Sequence, residues 1–64
     1  MKVRIFSEEF GPDGIQADWP MIPRIDEIAT FHHRGGGSNL KVNDIRWQFD
    51  TSGKFIEVEV YLTF

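Results

Sequence analysis

The chain's densest group of chemically capable side chains is residues 31–39, Phe-His-His-Arg-Gly-Gly-Gly-Ser-Asn. Two imidazoles could ligate a metal ion or carry a proton, and an arginine beside a glycine run could cradle a phosphate. The spacing favours neither. On a strand, His32 and His33 point to opposite faces; on a helix they diverge by roughly 100°, so the pair cannot chelate one ion. The chain has no other histidine and no cysteine to complete a site. Phosphate loops set their glycines between a strand and a helix N-terminus, usually with a Lys-Ser/Thr pair. Here the glycines run into Ser38-Asn39-Leu40-Lys41-Val42, which reads as a strand. The segment is therefore expected to be a flexible hairpin tip. The remaining acids and hydroxyls, among them Asp13, Asp18, Asp26, Asp44, Ser7 and Thr51, are scattered in no catalytic order. No catalytic residue, metal ligand or cofactor site is predicted, and a non-enzymatic protein is expected.

The elements that would position these residues must come from a small core. Sixty-four residues make one domain, 1–64, that buries only about 60% of the surface its unfolded chain exposes. Without cysteine it stands on packing or on self-association. Hydrophobic residues make up 41% and aromatics 14%, enough to fold. Net charge is −3, and the seven basic residues form no stripe, which makes nucleic acid an unlikely partner. No apolar run is long enough to span a bilayer, and Met1–Phe10 turns acidic too early for a signal peptide. A cytoplasmic protein with no membrane partner is expected.

Periodicity is clearest in the last third. Ile45, Trp47 and Phe49 alternate with Arg46 and Gln48; Ile56, Val58, Val60 and Leu62 alternate with Glu57, Glu59 and Tyr61. This period of two in β-branched and aromatic residues predicts two half-buried strands. Between them, Asp50 can bond the backbone ahead and Gly53 can take positive φ, as a hairpin requires. Leu40 and Val42 have the opposite parity to Ile45, so a bulge or bend is expected at Asn43-Asp44. Met1–Phe6 reads as a strand with Val3 and Ile5 inward. Ile15, Ala17 and Trp19 suggest a second strand paired to it, with 7–14 as the loop. In residues 20–33, a Pro-led turn followed by a strand from about Glu27 to His33 is preferred. The helical spacing of Ile22, Ile25, Ile28 and Ala29 supports an alternative, a short helix at about 23–32.

These segments predict a mainly β fold: a small, partly open barrel or meander of four to five antiparallel strands, or an α+β variant if 23–32 is helical. The order of features in "PRIDEIATF", "RGGGSN", "LKVNDIRWQF", "DTSGK" and "FIEVEVYL" resembles that of many short bacterial and phage proteins with SH3-like barrels. The resemblance covers about two thirds of the chain and implies an SH3-like fold, with no shared activity attached. Where such chains usually carry a glycine after the proline-led turn, this one has Ile25.

The residues suited to contact a partner are Trp19, His33, Arg34, Arg46, Phe55 and Tyr61. Phe55 and Tyr61 alternate with Glu57 and Glu59 on the predicted outer face of the last strand. Trp19 either caps the barrel or lies open as a contact aromatic. The expected role is a binding or scaffold module acting on a protein partner, or on a second copy through a last strand at the sheet edge. A small-barrel nucleic-acid module is the alternative.

Overall fold

The computed structural model describes residues 1–64. It is all β: 67% of the residues lie in strands and there is no helix. The strands are β1 (Lys2–Ser7), β2 (Gly11–Asp18), β3 (Ile28–His33), β4 (Gly36–Phe49) and β5 (Phe55–Thr63). They form one sheet in the order β2-β1-β5-β4-β3. Three pairs are antiparallel, but β1 and β5 run parallel, Val3 opposite Val58 and Ile5 opposite Val60. The expectation of an all-antiparallel sheet is corrected there. So is that of a last strand at the edge: β5 lies between β1 and β4, and the edges are β2 and β3.

The sheet curls into a half-barrel around seven buried side chains: Val3, Ile5, Leu40, Val42, Val58, Val60 and Leu62. All were expected inward from their alternation. The curl brings the two ends of the sheet together. Phe10, in the β1–β2 turn, meets Phe31 of β3 edge to face at 5.1 Å between centroids, and Ser38 donates to Glu9 at 2.9 Å.

The curl depends on irregularities. The β4–β5 register shifts between Val42 and Asp44, where the parity switch calls for it, and Asn43 is the extra residue. A second shift, between Gln48 and Phe49, leaves Ile56 unpaired and sets Phe55 opposite Phe49. Between those strands Asp50 Oδ1 accepts from the amides of Ser52 and Lys54, both at 2.9 Å, and from Ser52 Oγ at 2.7 Å. Gly53 closes the turn with φ of 84°. These bonds hold the Asp50 carboxyl below its ordinary pKa, the Ser52 hydroxyl foremost.

Residues 20–33 fold as a turn and a strand, not a helix. Arg24 N–H donates to the Glu27 carboxylate and Glu27 N–H returns to Arg24 C=O, closing a single turn. Asp26 then takes φ of 73°, which no helix continues through. Asp26 N–H and Glu27 C=O bond to Val42, so this link leads directly into β3. Two other boundaries move. β2 begins at Gly11, so the expected 7–14 loop shrinks to a tight turn. The expected hairpin tip is present between β3 and β4 but is shorter than the glycine run: Arg34-Gly35 form a two-residue turn, and Gly36 and Gly37 pair with His33 and His32. No helix of the protein is long and apolar enough to cross a membrane.

Candidate functional site: an aromatic arm

The molecule is longer than its size requires. A compact domain of this length has a radius of gyration near 11 Å, whereas this one has 12.3 Å and extents of 44 × 21 × 21 Å. The excess is the β4–β5 hairpin. Fourteen residues of β4, at ~3.3 Å each, run the full long axis. β3 reaches β4 only at Gly36–Lys41, and β1 reaches β5 only at Val58–Tyr61. Residues 48–57 therefore project from the barrel as a two-stranded arm, with Arg46 and Trp47 at its base, opposite Glu59 and Val58.

Trp47 is opposite Val58, a fully buried residue, so Trp47 and Phe49 lie on the face that forms the core lower down. On the arm nothing covers that face. Trp47, Phe49 and Phe55 are 48%, 54% and 38% exposed. Phe55 sits 6.1 Å from both the Trp47 and Phe49 rings, so the three form one patch. At 200–250 Å² per large ring, roughly 300 Å² of aromatic surface is open to water. That is the size of the largest apolar patches on ordinary soluble monomers, which are often functional.

The six residues singled out from sequence do not converge. Phe55 belongs to this patch, but not on the acidic face where its parity put it; the irregularity at Ile56 turns it towards Phe49. Ile56 drops out of the buried row and is half exposed. Arg46 and Tyr61 meet on the opposite face. The Arg46 guanidinium lies 4.9 Å from the Tyr61 ring centre and its Nε donates to Asp44 at 2.8 Å. Tyr61 stacks on Phe6 at 5.0 Å and donates to Glu59 at 2.7 Å. That bond, with burial second, raises the Tyr61 pKa, and the Asp44 bond raises that of Arg46. Trp19 packs half-buried against the core and borders a groove with Met21, Ile22, Pro23 and Ile28. His33 and Arg34 sit at the β3–β4 turn, at the other end of β4 from the arm.

His33, Ser38 and Glu9 form a serine, histidine and acid trio that residue order did not reveal. Its wiring is wrong for nucleophile activation, in which histidine stands between serine and acid. Here Ser38 is in the middle: its hydroxyl donates to Glu9, and His33 Nε2 lies 3.3 Å from Ser38 Oγ. The trio ties the β1–β2 turn to β4. His32 and His33 are not part of any group of three or more potential metal ligands.

Sequence reasoning placed Trp47 and Phe49 in the core. Their alternation correctly indicates the face, but carries no information about whether anything packs on it. No family model matches the chain, and neither does any curated protein or solved structure.

Proposed function

We propose that the protein is a non-enzymatic binding module of the cytoplasm that engages a protein partner through the aromatic face of its arm. The observation that carries this reading is the open cluster of Trp47, Phe49 and Phe55 on the projecting hairpin. Large rings lose little side-chain entropy on binding and dominate the energetics of protein interfaces. The partner is one that offers an apolar surface, since the patch holds no charge to match.

Aromatic residues on small barrels also stack nucleic-acid bases, but such sites need a basic groove beside the rings. Arg4, Lys41 and Arg46 are ion-paired with Glu57, Asp26 and Asp44. The other basic residues, Lys2, Arg24, Arg34 and Lys54, are spread over β1, the β2–β3 link and two separate turns. This distribution favours protein over nucleic acid.

Photo-crosslinking tests the choice. Benzoylphenylalanine at position 49 should give protein adducts in the native host, and the same group at Gln16, on β2, should not. Equal adducts at both positions, or none, would refute the reading. A nuclease-sensitive adduct at 49 would establish the nucleic-acid alternative.

A further inference from the structure

The arm has a free edge as well as a free face. In an antiparallel ladder, alternate residues turn their N–H and C=O towards the partner strand and away from it. Asp50 N–H bonds across to Lys54, so Gln48 and Arg46 also face β5, and Phe49, Trp47 and Ile45 face outward. β3 has ended at Ile28, opposite Lys41, and the link reaches only Val42. The outward Ile45 N–H is held by the Asp44 carboxylate at 3.0 Å. Those of Trp47 and Phe49 have no partner in the monomer.

The other edges are partly defended. β2 carries Pro12, which has no N–H, and is irregular around Gly14. The far end of β3 lies beside the β1–β2 turn, through Phe10 on Phe31 and Glu9 on Ser38. The arm edge of β4 has neither proline nor cover, and its one bulge is at the base.

We infer that two copies of this chain pair antiparallel along this edge, about a two-fold axis through Gln48. Three features select this register. It sets Trp47 opposite Phe49 of the second copy and Phe49 opposite its Trp47, using all four free N–H and C=O groups of each copy. It leaves Ile45 N–H on Asp44, whereas an axis through Trp47 would require that group for the partner and would set Asp44 against Asp50. It places Arg46 opposite Asp50 of the second copy, an attractive cross-strand pair formed twice. Asp50 is able to accept, because Oδ1 takes the three turn bonds and leaves Oδ2 free. An axis through Arg46 would instead oppose two like charges.

The pairing joins two half-barrels into a continuous sheet and sets the two aromatic patches side by side. It rests on the backbone edge and not on the aromatic face, so it and the proposed function fail separately. A monomer that crosslinks to protein at 49 keeps the function and loses the dimer; a dimer with no other adduct does the reverse.

Sedimentation and amide exchange test it on the whole protein. From about 10 µM to about 1 mM, the wild type should pass from monomer to dimer, and the Trp47 and Phe49 amides should gain protection as it does. Gln48→Lys and Gln48→Glu each set like charges across the axis and should remain monomeric. An equimolar mixture should associate roughly tenfold more tightly than either alone. A wild type monomeric throughout this range would overturn the inference. So would exchange at Trp47 and Phe49 that ignores concentration, or a mixture no tighter than its components. The exchange measurement needs no variant, so the test survives a substitution that disturbs folding.

Discussion

Replacing one aromatic on the arm should cost far less stability than replacing one side chain in the barrel, although both lie on the same face of β4. Leu40 is fully buried. Leu40→Ala removes a packed side chain and leaves a cavity, a loss of about 3–5 kcal/mol. A domain of this size has about 3–10 kcal/mol in total, so that variant stands at the limit of folding. Phe49 is 54% exposed. Full burial of such a ring contributes about 2–3 kcal/mol, so less than half of that is lost in Phe49→Thr, together with part of an edge contact to Phe55. Threonine keeps the strand propensity, and the expected cost is about 1–1.5 kcal/mol. Urea unfolding followed by far-ultraviolet circular dichroism, at low micromolar concentration so that monomers are compared, measures both. With a slope of about 1 kcal/mol/M for a small domain, the midpoint should fall by about 3 M or more for Leu40→Ala and by about 1 M for Phe49→Thr. Equal losses would refute the reasoning, because the arm's aromatics would then be packed in solution and unavailable to a partner.

Two further outcomes follow from the geometry. Gly14 has φ of 69°, and a Cβ there would lie 2.6 Å from the Ile5 carbonyl oxygen and 3.1 Å from the Phe6 ring. Gly14→Ala should therefore cost more than about 2 kcal/mol, and more than Gly53→Ala, where positive φ is the only obstacle; equal costs in urea would remove the steric argument. Tyr61, the single tyrosine, should titrate above its ordinary value near 10 because it donates to Glu59. A phenol pKa raised by folding contributes stability that is complete below about 10 and is lost as pH rises through the folded value. Tyrosinate absorbance measures it directly: Glu59→Gln should lower the midpoint, and a wild-type midpoint at or below 10 would contradict the bond.

Much of the architecture is local, and local features are legible. The alternation from Ile45 to Leu62, the parity switch at Asn43-Asp44 and the Asp50–Gly53 turn chemistry each involve residues within a few positions of one another. The parity switch and the turn appear in the structure as read, and the alternation holds for Val58, Val60 and Leu62 but breaks at Ile56. The parallel pairing of β1 with β5 has no such signature, because it joins Val3 to Val58 across nearly the whole chain. Phe55 shows a subtler failure. Strict alternation assigns it to the face of Glu57, but one unpaired residue, Ile56, returns it to Phe49. The candidate site was hidden for a different reason. Trp47 and Phe49 follow the same pattern as Val58 and Val60, and only the early ends of β1 and β3 leave them open. Arg46 and Tyr61 were recognisable as neighbours on one face, whereas His33 and Trp19 have structural contacts that depend on Ser38, Glu9 and the core.

The central position of β5 also governs when the molecule can come into being. It supplies Val58, Val60 and Leu62, three of the seven buried side chains, and it is the only strand whose backbone ladder links the β1–β2 hairpin to β4 and β3. An isolated hairpin is marginal in water, so residues 1–18 lack their second ladder partner until β5 has been made. Until residue 62 leaves the ribosome, a nascent chain holds its apolar rows in waiting, and the fold is then acquired in one late step.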